Sequence, residues 1–309
     1  LPLVTDKTYS RCLLVVDDRT CVDLKRDGDM DAVVRKAIRL GLDPIRAIQM
    51  ATINPAQYFG LKHLGAIAPG RRANIMVFRE LSAPRPEMVF CAGELVDREG
   101  QPLFSLPPLK REMGQSFKVR PFKLRDLAIP TSQLPLPVIE VIPGQILTRK
   151  VMTELKVEGE EIVADIDRDI LLAVVVERHR ATGNIGLGLV RGFGLKAGAL
   201  ASSIAHDSHN IVAVGCNRED VFAAIQEVIR LQGGLVVAME GKVLASLPLP
   251  VAGLLSVEPV EKVVSRLETL ERLARELGSA LPSPFATLSF LALPVIPQLR
   301  LTDKGLVEI

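Results

Sequence analysis

Histidine is scarce in this chain, with four among 309 residues. Cysteine is equally scarce. Cys12, Cys21, Cys91 and Cys216 form neither a C-x-x-C pair nor a framework of spacings, which argues against a disulfide scaffold or a cysteine-built zinc site and predicts reduced thiols in a cytoplasmic protein. Neither sign of charge dominates: 38 basic against 36 acidic residues leave a formal net charge of +2. No concentrated field is therefore expected to draw nucleic acid or an anionic membrane, and a small-molecule partner is the expectation. Apolar runs such as Ile170 to Val176 are too short to span a bilayer, and the N-terminus lacks the basic-then-apolar pattern of a signal peptide.

What is present is a large apolar fraction. Hydrophobic residues make up 48% of the chain, enough for a sizeable core and, by length, about two or three domains. The chain opens at Leu1 with no methionine and is expected to be a piece of a longer polypeptide.

Residues Arg11 to Val16 (RCLLVV) form an apolar run of strand length that stops at Asp17-Asp18-Arg19, as a buried parallel strand does on reaching the surface. The ends of such strands are where α/β folds keep chemistry. Met30, Val33, Val34, Ala37 and Ile38 then recur at helical spacing up to Gly41. A second short helix is predicted with Asp43 as N-cap, Pro44 at its first position, and Ile45 and Ile48 facing inward. Pro69-Gly70 and Ala92-Gly93 each predict a turn between two short strands, so a small β-domain follows the helices.

Residues 101–143 are rich in proline and lack sustained periodicity, which predicts an extended connection and a domain boundary. Beyond it, strands are predicted at Ile139 to Ile142, Ile170 to Val176, Ile211 to Val214 and Leu235 to Met239, with a helix from Arg218 to Leu231. A long amphipathic helix over Val260 to Leu277 is expected to keep Glu261-Lys262 and Arg272 to Glu276 wet.

Three groups of residues could carry chemistry. The Asp17-Asp18 pair could ligate a metal or act as a general base, or be a solvated turn. The stretch AHDSHN crowds His206 and His209 around Asp207, which could orient an imidazole; alternatively its polar side chains satisfy backbone groups. Glu177-Arg178-His179 closes a strand either as a substrate clamp or as an exposed ion pair. The glycine-rich run from Gly183 to Gly194 matches no phosphate-binding pattern and predicts tight turns or close backbone packing.

Longer motifs say more. VVDDRTCVDL, MDAVVRKAIRLGLDPIRAIQMATINPAQYFGL and GAIAPGRRANIMVF together resemble the C-terminal part of amidohydrolase-superfamily enzymes. VVVERHRATGNIGLGLVRGFGLKAGALASSIAHDSHNIVAVG, with LPLPVAGLLS and PFATLSFLALPVIPQLRLTDKGLVEI, resembles the C-terminal domain of adenine deaminases. The resemblance implies an α/β protein: a C-terminal remnant of a (β/α)8 amidohydrolase barrel in residues 1–62, part of a small β-domain and linker in residues 63–118, and a separate C-terminal α/β domain in residues 119–309.

It also implies metal-dependent hydrolysis of adenine to hypoxanthine and ammonia by a homo-oligomer. Asp17 takes the position of the barrel aspartate that contacts a divalent metal (Mn, Fe or Zn) and accepts a proton from the attacking water. Glu177, His179, His206, Asp207 and His209 are the candidates for substrate contact or active-site closure. Val16 stands where the pattern usually has threonine, and Asn74 where it has aspartate. No histidine precedes His63, so the family's remaining ligands are expected upstream of Leu1, and this chain alone is expected to be inactive. The alternative reading is a non-catalytic structural or oligomerisation module derived from such an enzyme.

Overall fold

The computed structural model describes residues 2–17, 19–105 and 117–309. The chain divides into two compact units, Leu1–Leu109 and Lys110–Ile309. Both mix helices with sheets. Among the described residues the sheets are open, with four, eight, two and three strands, and none closes into a barrel.

In the first unit, helix α1 (Cys21–Asp27) starts at a reciprocal cap, in which the Thr20 hydroxyl accepts from the Asp23 amide at 3.1 Å and the Asp23 carboxylate accepts from the Thr20 amide at 3.2 Å. Helix α2 (Met30–Arg39) buries Val34 and Ala37. Helix α3 (Pro44–Ala51) begins as expected, with the Asp43 carboxylate accepting from the Arg46 amide at 3.0 Å, and α4 (Ile53–Tyr58) follows it. Val34, Ala37, Leu42, Ala47 and Met50 make the shared core. Ile45 does not join it. The turn of α3 aims Ala47 and Met50 inward and leaves Ile45 49% exposed, so the first of the two expected inward isoleucines points to solvent.

The run Arg11 to Val16 is not a strand here. Residues 9–11 form a 3-10 turn, and residues 12–17 run on without a ladder partner. The run is fixed instead by the Leu14 amide, which donates to the Met50 carbonyl at 2.9 Å, and by the Asn54 side-chain amide, which donates to the Tyr9 and Cys12 carbonyls at 2.8 and 3.1 Å. A strand needs a neighbouring strand to satisfy alternate backbone groups, and none lies beside this run among the described residues.

The four-stranded sheet is a meander of β1 (Ile75–Val77), β2 (Met88–Cys91), β3 (Glu94–Arg98) and β4 (Gln101–Pro102). Ala92 and Gly93 turn β2 into β3 with φ of 53° and 89°, and Asn74 secures that turn by accepting from the Ala92 amide at 2.9 Å. The Pro69-Gly70 turn separates no strand pair: only the segment after it forms a strand, which pairs with β2.

In the second unit, β5 (Ile129–Pro130), β8 (Val157–Glu158) and β9 (Glu161–Ile162) form a small sheet. The large sheet contains β6 (Val138–Val141), β7 (Thr148–Val151), β10 (Ile170–Val176), β11 (Ile185–Arg191), β12 (Ala199–Ser202), β13 (Ile211–Gly215), β14 (Gly234–Met239) and β15 (Lys242–Pro248). Its order is β15-β14-β12-β13-β10-β11-β6-β7, antiparallel throughout except for the β11–β6 pair. All seven residues of β10 are buried, so the sheet is covered on both faces at its centre.

Helix α5 (Arg218–Arg230) packs Val221, Ala224, Ile225 and Val228 onto Val174, Val176, Ala199, Ala201, Ile211 and Ala213. Helix α6 (Val260–Glu276) packs on β14 and β15, and α7 (Pro284–Leu291) on β12 and β13. The wet face expected over Arg272 to Glu276 is interrupted, because Ala274 falls on the inward stripe and is fully buried.

The glycine-rich run forms β11, a strand its composition conceals. A Cβ on Gly186 would sit 1.8 Å from the Thr302 carbonyl oxygen, so only glycine lets the C-terminal hairpin of β16 (Leu299–Thr302) and β17 (Gly305–Glu308) lie against this strand.

Candidate functional site

In the first unit, Asp17 is exposed at the end of the extended run and borders a cleft of about 600 Å³. Arg19, Arg35, Lys36 and Arg39 line the same cleft, with Asp27 beside them. Arg35 is buried, paired with Asp31, and donates to the Pro84 carbonyl at 2.9 Å. Asp27 titrates below its ordinary range because the Arg26 guanidinium hydrogen-bonds it. Asp17 therefore stands as one carboxylate before a cationic wall. Among the described residues, no group of three or more His, Cys, Asp or Glu side chains is placed to hold a metal ion. Asp18 lies outside the described residues.

The other candidate residues belong to the second unit, where the end of β10 meets the loop that enters β13. Glu177 is only 7% exposed. One of its carboxylate oxygens accepts from the amides of His179 and Arg180, and the other from the amide and hydroxyl of Thr182, at 2.9 and 3.1 Å. Burial pushes this carboxyl up, but the Thr182, His179 and Arg180 amides pull harder and hold it below its ordinary value. The carboxylate thus shapes residues 177–182 into a tight loop.

The expectation of an exposed ion pair here fails, because Glu177 and Arg178 are both buried and each bonds backbone groups instead. The Arg178 guanidinium donates through Nε to the His209 carbonyl and through Nη2 to the Ala252 carbonyl at 3.0 Å, and lies 4.4 Å from the Phe117 ring centre. Burial alone pulls its pKa down to about 10. His179 Nε2 meets the Ser208 carbonyl at 2.7 Å.

His206 and His209 are half-buried, with ring centres 6.0 Å apart and edge-on. The His206 ring lies 4.6 Å from that of Phe290, and its amide donates to the Ser289 carbonyl at 3.0 Å. His209 has φ of 48°, and its Nδ1 accepts from the Ala205 amide at 3.4 Å. An accepting Nδ1 fixes the neutral ring as the tautomer with its proton on Nε2. Burial first, then the charges of His206 and Arg178, lower the His209 pKa. The orienting partner of this ring is thus a backbone amide. Asp207 lies exposed on the loop.

The structure thus brings Glu177, His179, His206 and His209 into one cluster, with Asp207 at its rim, while Asp17 sits in the other unit. Sequence reading missed Arg178 as a buried clamp, and also Asn184, Asn210 and Asp303. The two asparagine amides donate to the two oxygens of Asp303, at 3.0 Å from Asn184 and 3.3 Å from Asn210. Both asparagines immediately precede a buried strand, a local signal that was available; Asp303 comes from the C-terminal hairpin, about a hundred residues away, and had none.

Residues 5–96 match the sequence model of the amidohydrolase family, which defines the class of the first unit. Residues 145–309 match the adenine deaminase C-terminal domain, and the chain belongs to the adenine deaminase family. It is 56% identical over its whole length to a protein named adenine deaminase from Dehalococcoides mccartyi strain 195, covering 54% of that relative. It is also 47% identical over its whole length to adenine deaminase 2 of Carboxydothermus hydrogenoformans, and 48% identical over 99% of its length to an adenine deaminase of Methanothrix thermoacetophila, covering 55% and 54% of them. The chain spans about half the length of these curated relatives.

Proposed function

We propose that this chain is the C-terminal half of a hydrolase that converts adenine and water to hypoxanthine and ammonia. The observation that carries the reading is the end-to-end identity, through both units, with relatives that bear the name of that activity. In this reading the extended run ending at Asp17 is the last strand of an amidohydrolase barrel, and its missing neighbours come from sequence the relatives carry ahead of the aligned part. Residues 63–118 supply part of the small β-domain, and residues 119–309 the C-terminal domain.

A divalent metal (Mn, Fe or Zn) belongs to the same reading, since it makes water a nucleophile near neutral pH. Asp17 would be one of its donors; the described residues do not complete a donor set, and proton transfer falls to the Asp17 carboxylate. The water oxygen bonds to the amino-bearing carbon of adenine as the adjacent ring carbon–nitrogen double bond opens and that ring nitrogen takes one water proton; Asp17 carries the other proton to the exocyclic nitrogen, and the exocyclic carbon–nitrogen bond breaks to release ammonia as the carbonyl forms. The half-buried neutral imidazole of His209, with its Nε2–H, suits the loop from His206 to His209 to close over a purine, with Asp207 at the rim. A cytoplasmic homo-oligomer belongs to the same reading.

The test joins the N-terminal half of the Dehalococcoides mccartyi relative ahead of Leu1. Asp17→Asn is expected to lower kcat by about 10²-fold or more, and Asp18→Asn by less. Equal losses, or a larger loss at Asp18, overturn the assignment. Full metal occupancy without adenine turnover in the unsubstituted polypeptide favours the structural module instead.

A further inference from the structure

Arg178 is a buried cation in the second unit. It is 2% exposed, yet among the described residues it meets no carboxylate; its partners are two carbonyls and an aromatic face. A buried cation without a counter-ion is costly, and an apolar side chain would fill the space more cheaply. The arrangement makes sense through what the guanidinium holds. Its planar guanidinium donates through Nε to the His209 carbonyl and through Nη2 to the Ala252 carbonyl, tying the two chain segments together.

The turn beyond Ala252 is shaped around it. A Cβ on Gly253 would lie 2.9 Å from Nη2 and 2.7 Å from the Phe117 ring, and the Gly253 carbonyl is itself fixed by the Ser203 hydroxyl at 2.6 Å. The next residue along, His179, takes the Ser208 carbonyl. Two consecutive side chains at the end of β10 therefore grip two consecutive carbonyls of the histidine loop. Glu177 fixes the backbone that presents them. His209 is held at a positive φ that a β-carbon disfavours, and its carbonyl bond to Arg178 opposes relaxation to an ordinary conformation.

We propose that Arg178 is a positioning residue: its two-pronged grip on the His209 and Ala252 carbonyls sets the orientation in which the His206–His209 loop presents its imidazoles to a purine substrate. This rests on the reading of that loop as active-site closure. Lysine keeps the charge but not the fork, so Arg178→Lys separates geometry from electrostatics, and Arg178→Met removes both.

The test has two arms. In the 309-residue chain, Arg178→Lys is expected to speed amide exchange of residues 205–210 by about tenfold or more, with exchange in β10 and α5 unchanged. In the joined polypeptide it is expected to lower kcat/KM for adenine by about 10- to 100-fold, with a less than additive further loss when added to His209→Ala. Faster exchange across the whole unit, or a full additive loss beside His209→Ala, overturns the positioning role. If His206→Ala and His209→Ala leave kcat/KM untouched, the closure reading fails by itself; the clamp is then judged by exchange alone, and unchanged exchange at 205–210 overturns it too.

Discussion

Replacing Glu177 by glutamine probes the loop at its anchor with almost no change of volume. Each carboxylate oxygen accepts two hydrogen bonds, from the His179 and Arg180 amides on one side and from the Thr182 amide and hydroxyl on the other. Glutamine can turn its carbonyl to only one side. If it keeps the pair at His179 and Arg180, its amino group faces the Thr182 N–H, donor against donor, and only the hydroxyl can reverse its role. One charge-assisted bond is lost and the remaining pair is weakened, each worth about 1.5–3 kcal/mol before solvent offsets part of the loss. A net cost of about 2–3 kcal/mol follows, and about 2–4 °C of Tm per kcal/mol for a unit of this size gives a fall of roughly 4–12 °C.

The sign of the pH dependence is also fixed. The folded Glu177 carboxyl titrates below its unfolded value, so its contribution is complete above the ordinary carboxylate range and is lost as pH falls through the folded value. The gap between thermal melts of the two proteins should narrow as pH falls from 7 to 3. A change under about 1 °C at pH 7, or a gap that persists unchanged to pH 3, would refute the reasoning.

Two further predictions concern the same unit. Gly186→Ala must drive a β-carbon against the Thr302 carbonyl at 1.8 Å and should cost about 3 kcal/mol or more, whereas Gly188→Ala meets only movable methyls of Leu306 and Leu301 at 3.2 and 3.3 Å and should cost about 1 kcal/mol; urea midpoints in the opposite order contradict this packing. His209 titrates below the ordinary histidine value in the fold, so its contribution to stability is complete above about pH 6.5 and is lost as pH falls from there through the folded value. The fall in urea midpoint from pH 7.5 to 5.5 should accordingly be smaller in His209→Gln; an unchanged fall shows that the ring is not held neutral.

Local patterns were legible where one residue's neighbours decide its state. The buried run Ile170 to Val176 became β10 over the same residues, the expected strand from Ile211 and helix from Arg218 begin where they were placed, and Asp43 caps α3 as its side chain and the following proline require. The larger failures depend on a distant partner. RCLLVV has strand composition but, among the described residues, no strand beside it, and β11 is a strand although its glycines argue for turns, because the C-terminal hairpin needs their missing side chains. The candidate site divides the same way. The histidine crowding around Asp207 was plain in sequence, but the role of Arg178 was not, since its carbonyl partners lie 31 and 74 residues away. An ion pair with the adjacent Glu177 was the natural local guess, and burial of both side chains redirected them to backbone groups.

The most direct test of the central claim is hypoxanthine formation by this chain joined behind the N-terminal half of the Dehalococcoides mccartyi relative, purified with manganese and assayed with adenine. The account predicts equimolar hypoxanthine and ammonia, and a clear fall in kcat/KM when His209 is replaced by alanine. A folded, metal-loaded polypeptide that releases neither product would contradict it.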